Sequence, residues 1–188
     1  MGTAKKPLPV KLIASLLYTG SGSIEKIMDD LDYSFGQVDF ISEPLDFSHT
    51  NYYSNEMGSN LKRKILSFEK LIDPDTLPEF KIFTNGLEQK YLSTLVDRPI
   101  NIDPGYLNFH HLILATTKSY AHRPYLTKGI YADLTLIFRA KTFHPLDWTY
   151  PDYSSEPILE IMEFIRKKYV FQMRGKSTLK GMREETIC

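Results

Sequence analysis

The chain of 188 residues contains one cysteine, carries no net formal charge and has no long apolar run. Each absence excludes something. A single thiol, Cys188, makes no intramolecular disulfide, so the core must be held by packing, and a reducing compartment is expected. The 23 basic and 23 acidic residues cancel, leaving no overall field to draw nucleic acid or an anionic membrane to the surface. Nowhere do about eighteen apolar residues follow one another, so no membrane-spanning helix is expected. Lys5-Lys6 before Leu12-Ile13-Ala14-Ser15-Leu16-Leu17 imitates a secretory signal. Lys11 shortens that apolar run, however, and no Ala-x-Ala-like cleavage pattern follows. The expectation is a cytoplasmic protein with no membrane partner.

Complete nucleotide and metal motifs are also missing. The Gly175-Lys176-Ser177 triplet has Val170 where a P-loop needs its first glycine, and it follows a helical pattern instead of joining strand to helix. Gly20-Ser21-Gly22 opens a helix after a strand and offers amides to a phosphate. Its glycine fingerprint is incomplete, and only Glu43 or Asp46 stands where a ribose would need an acid. His110-His111 lie next to each other on a strand, pointing to opposite faces, with no partner at ligand spacing. No metal site is expected and no cofactor is indicated. There is no internal repeat and no low-complexity tract.

What is present is ordinary globular material, with 42% apolar and 24% charged residues, enough for one core. Leu12 to Leu17 is apolar on both alternating faces, the mark of a strand covered on both sides. Ile24, Ile27, Met28, Leu31 and Phe35 recur at helical spacing, and Gly36 closes that helix. Residues 38–43 read as a second strand, 46–58 as a long loop, and 63–72 as a third strand. Thr76-Leu77-Pro78-Glu79 has the spacing of a capping box, and Leu77, Phe80, Phe83, Leu87, Tyr91 and Leu95 continue it as a helix. Residues 100–102, 112–116 and 130–139 read as strands, the first two separated by an Asp103-Pro104-Gly105 turn. A last helix begins near Ser154 or Ser155, with Ile158, Ile161, Met162, Ile165 and Tyr169 on one face. This order predicts an α+β fold. Its centre is a ferredoxin-like split β-α-β core with a mixed or antiparallel sheet, helices on one side, extra strands and a C-terminal helix. One domain over residues 1–175 and a polar tail over 176–188 are expected.

The chemistry concentrates in residues 101–153, which hold four of the five histidines, the only tryptophan and six of the twelve tyrosines. Within it, Thr116, Thr117, Lys118, His122 and Arg123 follow an apolar run. Two hydroxyls, an ammonium, an imidazole and a guanidinium emerging together can surround a phosphate, arginine adding its bidentate fork. The bland alternative is a solvated loop. Carboxylates able to serve as a base or to hold magnesium are Glu56, Asp103, Asp133 and Asp152, although Asp103 and Asp152, beside prolines, read equally well as turn residues. Glu56, Asp103 and His122 are the catalytic candidates; Thr116, Thr117, Lys118, Arg123 and Tyr125 are the ligand-binding ones. Tyr106, Tyr120, Tyr125, Tyr131, Trp148, Tyr150 and Tyr153 would stack on a base or line a pocket, or simply cover a sheet. The leading expectation is a protein that binds a phosphate-bearing small ligand such as a nucleotide, whether it also acts on that ligand being left open by the sequence. A non-catalytic module binding RNA or protein is the alternative, with nucleic acid weakly supported by the scattered basic residues.

Several motifs together carry a resemblance. They are Tyr52-Tyr53 with Glu56-Met57-Gly58, Ser67-Phe68-Glu69, Thr84-Asn85 with Leu87-Glu88, Asn101-Ile102-Asp103-Pro104-Gly105-Tyr106-Leu107, Leu114-Ala115-Thr116-Thr117-Lys118, His122-Arg123 with Tyr125-Leu126, Gly129-Ile130-Tyr131-Ala132 and Trp148-Thr149-Tyr150-Pro151-Asp152-Tyr153. In these the chain resembles, over most of its length, a family of short single-domain prokaryotic proteins known only as a domain of unknown function. The resemblance implies family membership and brings no reaction or catalytic residue with it. Some relatives bear a GTP-binding label. Here there is no P-loop, and Thr117-Lys118-Ser119-Tyr120 lacks the aspartate of a guanine-reading motif, so the label carries little weight for this chain.

Overall fold

A computed structural model describes residues 2–19, 24–47, 57, 60–92 and 100–180, with side chains to 175. Its strands are β1 (Val10–Tyr18), β2 (Val38–Ile41), β3 (Leu45–Asp46), β4 (Lys62–Ile72), β5 (Ile100–Leu107), β6 (His111–Thr116), β7 (Tyr125–Thr127), β8 (Ile130–Arg139) and β9 (Thr142–Pro145). The helices are α1 (Ile24–Phe35), α2 (Leu77–Lys90) and α3 (Glu156–Lys180). Among the described residues nine strands join one sheet in the order β2-β4-β1-β5-β6-β8-β7, with β3 also on β4 and β9 also on β8. Every pairing is antiparallel. The fold is therefore α+β with an open antiparallel sheet, and β1 is central as its two-sided apolar sequence requires.

Alternation along β1 divides the core in two. Leu12, Ala14, Leu16 and Tyr18 face α1 and α2, packing with Ile27, Leu31, Phe35 and Leu87. Ile13 faces the other way with Ile65, Leu114 and Leu136, under Ile158, Met162, Ile165 and Tyr169 of α3. Helices thus cover both faces, correcting the expectation of helices on one side. The apolar stripe of α3 has to bury itself, and the face occupied by α1 and α2 is already taken.

Three further expectations change. The first concerns Asp103-Pro104-Gly105, which is no turn but the middle of β5. Gly105 lets β6 approach so closely that a Cβ would stand 2.4 Å from the Ile113 carbonyl oxygen. The turn lies after it, where the Asn108 carboxamide oxygen accepts hydrogen bonds from the amides of His110 and His111. Such a side-chain-to-backbone bond is an asparagine turn device. Second, Thr76 makes no capping box. It has helical dihedrals at the end of a 3-10 turn over Pro74–Thr76, and its hydroxyl donates to Asp73 O. Third, the short strands β3, β7 and β9 carry too little periodicity to be read from sequence.

Among the described residues no helix is long and apolar enough to cross a membrane.

Candidate functional site

The last pair of the β5–β6 ladder is Gly105 with Leu114; beyond it the two strands part. In a continuing ladder β6 would satisfy the backbone of Ile102. Two side chains of α2, seven residues apart on one helix face, do so instead. The Lys81 ammonium donates to Ile102 O at 2.9 Å, and a Glu88 carboxylate oxygen accepts from Ile102 N at 2.7 Å. Pro104 fits the same opening, since strand alternation turns its missing N–H away from β1 as it does that of Ile102. Asp103 and Thr116 lie two residues past the last pair, each on its own strand and on the face that α3 covers farther along.

Asp103 is the centre of this opening. Its carboxylate accepts from Lys81 Nζ at 3.0 Å and from Asn101 Nδ2 at 2.6 Å, and keeps about a quarter of its side chain (27%) exposed. Burial pushes the carboxyl up, but Lys81, Arg63 and Asn101 outweigh it and hold the group below the usual carboxylate range. Beside it, across β1, Arg63 is buried. Its guanidinium donates to Ser15 Oγ and to the Tyr153 hydroxyl and stands 2.7 Å from Asp152 Oδ2, between the rings of Phe47 and Tyr153. Burial drives the Tyr153 phenol far up, keeping it protonated. Asp152 and Tyr153 come from the turn before α3, where Tyr153 N bonds to Tyr150 O. Asp152 is therefore both a turn residue and a buried counter-ion. Ser15, Arg63, Lys81 and Asn101 escape sequence reading, because a polar residue within a strand or helix signals nothing until its neighbours are known. Ser15 and Lys81, polar at positions inside apolar patterns, are the only hints.

A second polar group surrounds Asp133 on β8. Arg123 is buried, with Nε and Nη2 both 2.8 Å from Asp133 Oδ2 and Nη1 donating to Lys118 O at 3.5 Å. The Tyr120 ring lies over its guanidinium. His122 Nε2 is 3.8 Å from Asp133 Oδ1. Its imidazole stacks on the Trp148 indole at 5.0 Å and 12°, with Tyr120 beyond it at 5.7 Å. Trp148 is locked by its Nε1 hydrogen bond to Leu134 O. Thr116 Oγ1 accepts from the amide of Lys118, and Thr117 and Lys118 are exposed. Tyr125 is exposed and edge-on to Tyr131 across β7 and β8.

Of the expected site residues, then, Thr116, Lys118, His122 and Arg123 come together around one loop, and Thr116 reaches the same end of the sheet as Asp103. Asp103 contacts none of the loop residues among the interactions described; its partners are Lys81 and Asn101. Arg123 and Asp133 neutralise each other, so the arginine anchors the loop. Tyr125 sits on the edge strand. Glu56, His49 and the Gly20-Ser21-Gly22 turn lie outside the described residues. His111 is engaged by Asn108, and burial lowers its pKa.

No curated protein and no solved structure matches the chain. A family model does match, over residues 8–169, and its description is Domain of unknown function (DUF4416). The motifs at the opening, on the loop and in the turn before α3 all fall inside that span, and the chain belongs to this family.

Proposed function

We propose that the chain binds a phosphate-bearing small ligand, such as a nucleotide, where β5 and β6 part, and acts on it there. The observation that carries this reading is the opening itself. A sheet that seats charged side chains of a helix on the strand backbone where a neighbouring strand would bond gives up stability. Such concentrations of buried, mutually perturbed groups gather at functional sites. The exposed Lys118 ammonium, the hydroxyl of Thr117 and the amides of their loop meet the phosphate, with the His122 imidazole beside them; Arg123 positions the loop through Asp133. The stacked His122–Trp148 pair, with Tyr120 tilted beside it, offers a ledge to a base. Asp103, held ionised, takes the role of base or cation ligand.

Thermal shift with a panel of nucleoside mono-, di- and triphosphates tests the reading. A nucleotide should raise the melting temperature of the wild type, and Lys118→Ala should abolish that rise while leaving the unliganded melting temperature nearly unchanged. Absence of stabilisation by any nucleotide would sink the proposal. The exposed Tyr120, Tyr125, Trp148 and Tyr150 favour a second reading, a non-catalytic module for RNA or a protein. It predicts binding of single-stranded RNA lost on Trp148→Ala, with no response to mononucleotides.

We read the sheet order as a ferredoxin-like split unit. Its support is that β4 lies between β1 and β2 while β1 lies between β4 and β5, so that β1-α1-β2 and β4-α2-β5 interleave. A cytoplasmic location is proposed with it, from the lone thiol.

A further inference from the structure

The outer surface of α3 repeats every seven residues. Pro157, Phe164 and Phe171 are exposed, the two phenylalanines to 48% and 79%, while Ile158, Ile165 and Tyr169 lie in the core. A helix that buries one stripe and leaves a second apolar stripe in solvent at heptad spacing has the seam of a helix pair. The helix runs beside β2, an edge strand whose one neighbour among the described residues is β4. Where they meet, Phe40 of β2 touches Phe164 with ring centroids 5.2 Å apart. A depression lies on either side of that contact. One is bounded by Asp39, Lys168 and Phe171, the other by Phe40, Ile41, Pro157 and Ile161.

We infer that this face is where a second copy of the chain docks, through an antiparallel α3–α3 contact with its two-fold axis at Phe164. Three features of one surface agree on that axis. A two-fold through Phe164 carries Phe171 of one copy onto Pro157 of the other, seating the most exposed large apolar side chain of the helix in the depression floored by Phe40 and Ile41. The same operation also seats the second copy's Phe171 in the first copy's depression, as an isologous interface requires. The charges match as well. Glu156, Glu160 and Glu163 precede Phe164 on α3, and Arg166, Lys167, Lys168 and Arg174 follow it. Antiparallel packing sets Glu160 against Lys167 and Lys168 of the partner copy, twice. Parallel packing would set like charges together. A different protein would need no such inversion symmetry in the stripe, which is why a second copy is the occupant. Asp103, Thr117, Lys118, His122 and Trp148 line neither depression, so the dimer does not depend on the proposed ligand site.

Sedimentation and light scattering of the full chain test the inference. The wild type should be a dimer with concentration-dependent dissociation, and Phe171→Glu should weaken it at least about a hundredfold, as loss of a central aromatic anchor does. Glu160→Lys should also weaken it, about tenfold or more, and the double variant Glu160→Lys with Lys167→Glu should recover part of that loss, because the contact between positions 160 and 167 regains opposite signs on both sides of the axis while Lys168 keeps its charge. Since Glu160, Lys167 and Phe171 are exposed, circular dichroism should stay unchanged throughout. A wild type that remains monomeric at sub-millimolar concentration overturns the inference, as does a dimer indifferent to Phe171→Glu. A double variant no better than Glu160→Lys overturns the two-fold arrangement.

Discussion

Arg123 offers the sharpest test of how the loop of residues 116–125 is built. Both its Nε and its Nη2 lie 2.8 Å from the same Asp133 oxygen, with 7% of the arginine and 8% of the aspartate exposed. Asp133→Ala leaves a guanidinium out of water with the Lys118 carbonyl, Tyr150 and the Tyr120 ring beside it and no carboxylate bonded to it. An uncompensated buried charge costs about 3–5 kcal/mol, a large part of the roughly 5–15 kcal/mol that holds a domain folded. At about 2–4 °C per kcal/mol for a chain of this size, the melting temperature should fall by roughly 6–20 °C. Arg123→Ala is milder, about 2–4 kcal/mol, because Asp133 keeps the His122 imidazole at 3.8 Å. With both charges gone, the double variant should be less damaged than the two losses summed, by about 2–3 kcal/mol. Urea unfolding followed by circular dichroism at neutral pH measures all four corners of the cycle. A coupling below about 0.5 kcal/mol would refute the reasoning. The guanidinium would then be a solvated group, free to meet an anion directly.

Other outcomes follow from the same structure. Gly105→Ala must push against the Ile113 carbonyl and should cost about 1–3 kcal/mol, read as a lower urea midpoint with an unchanged slope. Asp103 has a folded pKa below its unfolded value, so its contribution is complete above the ordinary carboxylate pKa and is lost as pH falls through the folded one. Asp103→Asn should therefore flatten the acid side of the stability profile, and a profile unchanged below pH ~4 would contradict this. Lys11, fully buried, meets Asp39 at 2.6 Å and Gln172 of α3 at 2.9 Å. Asp39→Ala leaves the buried ammonium with the neutral Gln172 acceptor in place of its bonded carboxylate, whereas Lys11→Met leaves Asp39 with Ser67 and Lys168. Asp39→Ala should be the more destabilising of the two in thermal unfolding.

Periodicity made much of the architecture legible. Residues 12–17 read as a two-sided strand because their neighbours on both faces are apolar, and β1 lies between β4 and β5 with helices above and below. The spacing of Ile158, Ile161, Met162, Ile165 and Tyr169 marked the inner stripe of α3, and the alternation of residues 130–139 marked β8. These are local signals, set by the repeat of a helix or a strand. Local chemistry also drew attention to Lys118, His122, Arg123 and Asp103, because polar residues gather after apolar runs there.

What the sequence could not contain is the pairing of charges across elements. That Arg123 belongs to Asp133, Arg63 to Asp152 and Lys81 to Asp103 depends on strand register and on how α2 and the turn before α3 lie on the sheet. An Asp-Pro-Gly triplet reads as a turn by itself; it becomes strand because β1 pairs along its whole length and β6 crowds against Gly105. The face chosen by α3 was equally undetermined, since an apolar stripe states that it must be buried without stating where. Residue type and spacing settle which groups can carry chemistry. Only the packing of distant segments decides which of those groups meet, because charge, burial and hydrogen bonding act over a few ångströms of space whatever the distance along the chain.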